Sequence, residues 1–271
     1  MTNIDTIYGT FRNESKQRLD YAYFYEHTQI CSLKLITDLI SASRFLDIGS
    51  NIGLYAIYLS SLDGLKAIDA FEPAVNAYKT LAENVAVQPE DKITTHSIAL
   101  SNQEATVEFA IYGELSGSNA LVKTDEKGAK PIRIDQVLCM PLDRVITDRD
   151  GIFVCKIDVE GHELDALEGA KDYLIGNQGV LQIESFEHNR KDVIDLLASY
   201  GYDCIFRLQN DLYFTNLTDM DLRLQVFEVL TQEVSKSLDV LKDFKINRRR
   251  MTWGIRDALK NTGHHKDPLF P

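Results

Sequence analysis

Three short stretches concentrate acids and glycines in the patterns that a chemical site requires. The first, FLDIGSNIGLY (45–55), leaves an apolar run at Asp47 and continues through Gly49, Asn51 and Gly53 in a D-x-G-x-N-x-G spacing, after which an apolar helical pattern begins. Glycine permits positive φ and close backbone approach, and asparagine tolerates left-handed geometry. A bend of this kind, between a strand and a helix, offers backbone N–H groups and a helix N-terminus to a ligand. The second stretch, AFEP, ends an apolar run on Glu72, an acid that can accept from both hydroxyls of a ribose. The third, FVCKIDVEGHELDALEGA (153–170), ends an apolar run on Asp158 and turns through Glu160, Gly161, His162 and Glu163. Close behind it, VLQIESFEHN closes on Glu184, with Glu187 and His188 just beyond.

Adjacent strand ends lie about 5 Å apart, so Asp158 and Glu184 are expected to face one pocket. There they could bind a divalent cation, with Glu160 as a further ligand, or share a proton. Other roles fit the neighbours: Glu163 as a helix cap, Glu187 as a solvated acid, and His162 and His188 as surface histidines or as general bases. Lys156, two residues before Asp158, falls on the same strand face and could neutralise it. Asp47 bears on the cofactor. The spacing is not the G-x-G-x-x-G of dinucleotide enzymes, and an acid at this turn repels a pyrophosphate while attracting the ammonium and sulfonium of S-adenosylmethionine.

The elements that must position these residues follow from periodicity. Residues 1–43 read as a helical entry or lid, with Ile30, Leu33, Ile36 and Ile40 at helical spacing behind the aromatic run YAYFY. Residues 44–218 alternate short β-rich runs with helical patterns, which predicts an open, mainly parallel α/β sheet. Its last two runs, DCIFRL and DLYFTN around a QND turn, predict an antiparallel hairpin at the sheet edge. Residues 219–271 return to helix, with Phe227, Leu230, Val234, Leu238, Leu241 and Phe244 on one face, and end in a flexible tail. That face is expected to pack within the chain or to form a homodimer. The basic cluster Lys245, Arg248, Arg249 and Arg250 is either a solvated helix end or a phosphate-binding group.

With these motifs in view, the chain resembles the FkbM family of S-adenosylmethionine-dependent methyltransferases. The resemblance covers roughly residues 45–187: FLDIGSNIG, AFEP, IALSN, MPLDRVI, KIDVEGHELDALEGA and LQIE. It implies a Rossmann-like class I fold whose mainly parallel, seven-stranded sheet carries an antiparallel edge hairpin, flanked here by the two helical extensions. It implies that Asp47, Gly49, Asn51 and Gly53 line the methionine and ribose side of the cofactor, that Glu72 holds the ribose, and that Ala99 to Ser101 lie near the adenine. Asp158, Glu184, Glu160 and His162 are then the catalytic candidates, and Asp158 and Glu184 the metal candidates.

The expected reaction is O-methyl transfer to a hydroxyl of a sugar, glycan, glycolipid or related natural product. Two other readings stand beside it: an NAD-dependent oxidoreductase, and a silent nucleoside-binding partner of a modifying complex. A net charge of -12 over 271 residues disfavours nucleic acid as a partner. Cys31, Cys139, Cys155 and Cys204 show neither a zinc spacing nor a CxxC pair, and no apolar run approaches a membrane span. With no basic and apolar leader at the N-terminus, the expected location is cytoplasmic.

Overall fold

The computed structural model of the chain describes residues 2–122, 130–148 and 151–236, the side chain of Phe24 excepted. Two compact units divide the chain, Met1–Leu230 and Thr231–Pro271, and the described part of the second, 231–236, is helical.

The chain opens with a hairpin of β1 (Asn3–Thr6) and β2 (Gly9–Arg12), followed by a short 3-10 turn, α1 (Lys16–Tyr25) and α2 (His27–Leu39). The first dozen residues are thus extended where a wholly helical entry was expected. Tyr8 and Phe11 explain the difference: both are buried in the main core, where a hairpin presents them to the same side as Ile30, Leu33 and Ile36 of α2.

The alternating segment then supplies β3 (Arg44–Ile48), α3 (Leu54–Ser60), β4 (Ala67–Phe71), α4 (Val75–Val85), β5 (Ile93–His96), β6 (Ala99–Leu100), β7 (Ala105–Ile111), β8 (Ala120–Leu121), β9 (Arg133–Met140) and α5 (Leu142–Val145). It continues with β10 (Ile152–Ile157), α6 (Glu163–Glu168), α7 (Lys171–Gly176), β11 (Gln178–Glu184), α8 (Arg190–Ser199), β12 (Asp203–Leu208) and β13 (Asp211–Thr215). The central sheet has seven strands in the order β12-β13-β11-β10-β3-β4-β5. Neighbours from β11 to β5 are parallel, and β13 and β12 form the antiparallel edge. This is the Rossmann-like architecture with the expected edge hairpin. The inner strands are apolar on both faces, as a sheet covered by helices on each side demands. Phe45, Val154 and Val180 pack with α2 and α3, whereas Leu46, Phe153, Cys155 and Leu181 pack with α6, α7 and α8.

A second sheet, of four strands in the order β6-β9-β7-β8, was not separated from the central one by pattern alone. TVEFAIYG and IRIDQVLCM pair with each other, antiparallel, with Val107 opposite Val137. Their partly alternating burial fits strands with one face on a core and one on solvent. That core includes Ala74 and Ala77 at the start of α4, which brings the small sheet beside the end of β4. The helix beginning at 220 is described to 236. Val226 and Leu230 are fully buried on it, while Phe227 is half-exposed and meets Phe206 edge to face. Of the expected apolar face, Phe227, Leu230 and Val234 are described, whereas Leu238, Leu241, Phe244 and the basic cluster lie outside the described residues. All four cysteines are free. Among the described residues no helix is long and apolar enough to cross a membrane.

Candidate functional site

In the central sheet, β3 stands between β4 and β10, so the chain departs from it in both directions, and the crevice beyond the carboxyl ends of such strands is where an open α/β sheet takes its ligand. Gly49 follows β3 with φ of 79°, and a Cβ there would lie 1.9 Å from the carbonyl oxygen of Asp158. Only glycine lets the turn rest on the end of β10. Asn51 is left-handed as well, with φ of 50°. Its N–H donates to Glu72 Oε2 at 2.9 Å, and its Nδ2 donates to the carbonyl of Ser116 at 3.2 Å. Glu72 also accepts from the N–H of Ala74 through Oε1 at 2.8 Å. Burial raises the Glu72 carboxyl to about 7 against the pull of these two backbone bonds. Each of its oxygens keeps acceptor capacity for a ribose hydroxyl.

Within D-x-G-x-N-x-G the four residues divide. Gly49 and Asn51 line the cleft together with Glu72 and Ala99. Asp47 is wholly buried behind the turn, where its Oδ2 accepts from the N–H of Ala56 at 3.1 Å and so ties α3 to β3. Burial raises its carboxyl to about 6, opposed by the Lys156 ammonium. Gly53 caps α3 and faces Leu81. Ser101, one residue beyond β6, places Oγ 3.0 Å from Nε2 of His162.

The acids of the third motif meet at the same cleft. Ile157 of β10 lies opposite Ile183 of β11, so Asp158 and Glu184 are neighbours one step further on. Carboxylate oxygens of Asp158, Glu160 and Glu184 lie within 4.8 Å of one another. Burial, the Asp158 charge and a hydrogen bond to Asp158 push the Glu184 carboxyl well above its ordinary range. Burial acts on Asp158 in the same direction, but Lys156, the bond from Glu184 and the Arg18 charge outweigh it and hold Asp158 low. The opposed shifts favour one proton shared by the pair, on the Glu184 side.

Lys156 stands behind them, buried, with Nζ 3.2 Å from Asp158 Oδ2 and donating to the Gly49 carbonyl at 2.9 Å. One ammonium thus joins the glycine turn to the acid cluster. Asp211 lies opposite Glu184 in β13 and accepts from Gln182 at 2.8 Å and Gln29 at 3.1 Å.

His162 lines the cleft with both ring nitrogens engaged, Nε2 by Ser101 and Nδ1 at 3.1 Å from Asp165 Oδ2. Glu163 is buried at the first position of α6 and does not cap the helix; it accepts from the N–H of Gly161 in the turn before it and from Asn189 Nδ2. Glu187 is exposed, and His188, also exposed, stacks near Phe186 and does not line the cleft. At Gly169 a Cβ would lie 1.9 Å from the Ser101 carbonyl oxygen, so E-x-x-x-L-E-G-A carries glycine one residue before its end to seat the segment after β6.

Sequence reasoning missed Arg18 of α1, Phe109 of β7 and the segment holding Ser116, Gly117 and Asn119, all of which line the cleft. None carries a spacing signal, since each comes from an element whose place is set by packing. The donor set suits S-adenosylmethionine: an acid for the ribose, the apolar residues Phe71, Ile98 and Leu100 for a flat base, and carboxylates for the cationic end.

A methyltransferase FkbM domain matches residues 47–204. Methyltransferase 1 of Beauveria bassiana is 24% identical over 147 residues, 48% of this chain and 59% of that one. Methyltransferase sdnD of Sordaria araneosa is 27% identical over 202 residues, 62% of this chain and 76% of its own. The AMB antimetabolite synthetase AmbE of Pseudomonas aeruginosa is 26% identical over 205 residues, 60% of this chain but 10% of that much longer protein. Among solved structures, the methyltransferase FkbM of Methylobacillus flagellatus KT aligns with a TM-score of 0.46 at 19% identity, covering 65% of this chain and 44% of that one. The chain thus spans less than two thirds of the length of Methyltransferase 1 and of the Methylobacillus protein. By the match over residues 47–204, which contains the glycine turn, Glu72 and the acid cluster, the chain belongs to the FkbM methyltransferase family.

Proposed function

We propose that the chain is an O-methyltransferase that moves a methyl group from S-adenosylmethionine to a hydroxyl of a sugar, glycan, glycolipid or related natural product. The observation that carries the reading is the meeting of Gly49, Asn51 and Glu72 with Asp158 and Glu160 in one cleft, with Glu184 beside those two acids. The cofactor supplies the methyl as an electrophile on a sulfonium, and the protein must align it with the acceptor oxygen and take that oxygen's proton. Asp158, ionised beside Lys156, is the acceptor of that proton, and Glu184, already protonated, orients it. General-base help of this kind contributes roughly 10²–10⁴-fold. His162, held at both nitrogens, serves better to fix Ser101 and the adenine side than to shuttle protons.

A carbohydrate acceptor is supported by Tyr21 and Tyr25, half-exposed rings 4.6 Å apart, the first of them beneath the Arg18 guanidinium that lines the cleft. Paired aromatic faces offer the flat apolar surface that a sugar ring covers. The name of one relative, an antimetabolite synthetase, supports a natural product instead. Free cysteines suit a reducing compartment such as the cytoplasm.

A second reading of the acid cluster rests on its geometry: three hard oxygen donors within 4.8 Å suit Mg²⁺ or Ca²⁺, which would orient the hydroxyl and lower its pKa. Incubation with labelled S-adenosylmethionine and a panel of nucleotide sugars, glycans and polyketide aglycones, with and without EDTA, tests both. Full activity in EDTA supports the proton-sharing pair, and loss restored by Mg²⁺ or Mn²⁺ supports the metal. Cofactor binding without transfer to any acceptor would favour a silent nucleoside-binding partner, and tight NAD binding would sink the methyltransferase reading.

A further inference from the structure

We propose that Arg18 binds the carboxylate of the methionine moiety of S-adenosylmethionine, so that α1 completes the cofactor site. The inference rests on the methyltransferase reading above.

Charge is the first argument. The described residues lining the cleft include the carboxylates of Glu72, Asp158 and Glu160, and Arg18 is the sole ammonium or guanidinium among them. The cofactor is a zwitterion. Its ammonium and sulfonium suit the acids, whereas its carboxylate, placed among those acids without a cation, would be repelled. Arg18 provides the missing charge.

Position is the second argument. The Arg18 side chain is only 17% exposed, with Nη2 2.7 Å from Glu26 Oε1 and its guanidinium carbon 4.9 Å from the centre of the Tyr21 ring. Glu26 and Tyr21 hold the group in place, and the planar fork retains further N–H donors for a second carboxylate. Gly117 lies against it, since a Cβ there would be 3.6 Å from Nη2. The carbonyl of Ser116, next in the chain, accepts from Asn51. Arg18 therefore stands beside the glycine turn, at the methionine side that the resemblance assigns to Gly49 and Asn51.

Calorimetry with two ligands tests this. S-adenosylmethionine and its decarboxylated analogue, which lacks only the carboxylate, are titrated into the wild type, Arg18→Met and Arg18→Lys. Arg18→Met should bind S-adenosylmethionine about 10- to 100-fold more weakly, the loss expected for a charge-assisted hydrogen-bonded pair. It should bind the analogue as tightly as the wild type or more tightly, because removing a nearby cation favours a more cationic ligand. Arg18→Lys should fall between for S-adenosylmethionine. Through-space electrostatics alone would tighten both ligands, so opposite responses report direct contact with the carboxylate. Equal weakening of both ligands, or no weakening of either, overturns the assignment. No binding of S-adenosylmethionine by the wild type overturns the methyltransferase reading itself.

Discussion

Two carboxylates a few ångströms apart at the end of a sheet do not do the same work. Burial and the Asp158 charge push Glu184 towards its neutral form while Lys156 holds Asp158 towards its charged form, so their substitutions should separate. Glu184→Gln keeps an uncharged donor facing Asp158 and should leave the melting temperature unchanged or higher. Asp158→Asn strips the buried Lys156 of its partner and should cost about 3–5 kcal/mol, read by denaturant unfolding. Both should lower the methylation rate at least about 100-fold, Glu184→Gln with cofactor affinity nearly intact and Asp158→Asn with weakened affinity as well, because Asp158 also faces the cationic end of the cofactor, and wild-type rates in both would remove the pair from catalysis. At the other side of the cleft, Glu72→Ala should weaken S-adenosylmethionine binding by about 1.5–3 kcal/mol, because charge-assisted bonds to the ribose are lost. Unchanged affinity of a folded Glu72→Ala protein, by calorimetry, would take Glu72 out of the site.

Elements are held in register by backbone contacts that side chains would block. Gly49→Ala drives a methyl into the Asp158 carbonyl in a left-handed turn, so it should abolish cofactor binding and cost several kcal/mol of stability, on the order of the largest single-substitution effects. An alanine there with wild-type stability and binding would show that β3 and β10 do not meet as described. The helix that starts at 220 is anchored by Val226 and Leu230, both sealed in the main core. Leu230→Ala should therefore destabilise by about 2–5 kcal/mol, and truncation after 218 should lower the melting temperature. A truncated protein that melts at the wild-type temperature would show this packing to be dispensable.

At the scale of the molecule, buried acids outnumber the cations near them among the described residues. Burial holds the Asp47 and Asp211 carboxyls at about 6 and Glu72 at about 7, all above their unfolded values. Folded protein then binds more protons than unfolded protein in the interval between, so stability is fullest below the ordinary carboxyl range and falls as pH rises through about 6 to 7. Asp158, held low, works in the opposite direction and loses its contribution only as pH falls through the acid range. Denaturant midpoints of ligand-free protein should decline from about pH 5 to about pH 8. A cationic ligand offsets the penalty, so the decline should shrink when S-adenosylmethionine is saturating. A midpoint that rises across that interval would contradict the burial of these acids.

The parallel core of the central sheet and its edge hairpin were legible in the chain, because buried parallel strands need continuous apolar runs such as RFLDI and IFVCKI, and hairpins need turn residues, whereas the count of seven strands came from the family resemblance. Strand ends were legible for the same reason: Glu72, Asp158 and Glu184 each break an apolar run, and parallel order sends them to one edge. What the sequence left undetermined were contacts between segments distant in the chain. Nothing local in Asp47 says that it turns inward to cap α3, or in TVEFAIYG and IRIDQVLCM that they leave the main sheet and pair with each other. Nothing in YAYFY and the residues before it says that Arg18 reaches the cleft. Local propensity and periodicity report how a segment meets its own neighbours, whereas the burial of Asp47, the second sheet and the reach of Arg18 depend on which distant surfaces close over one another, and that is decided only when the chain packs.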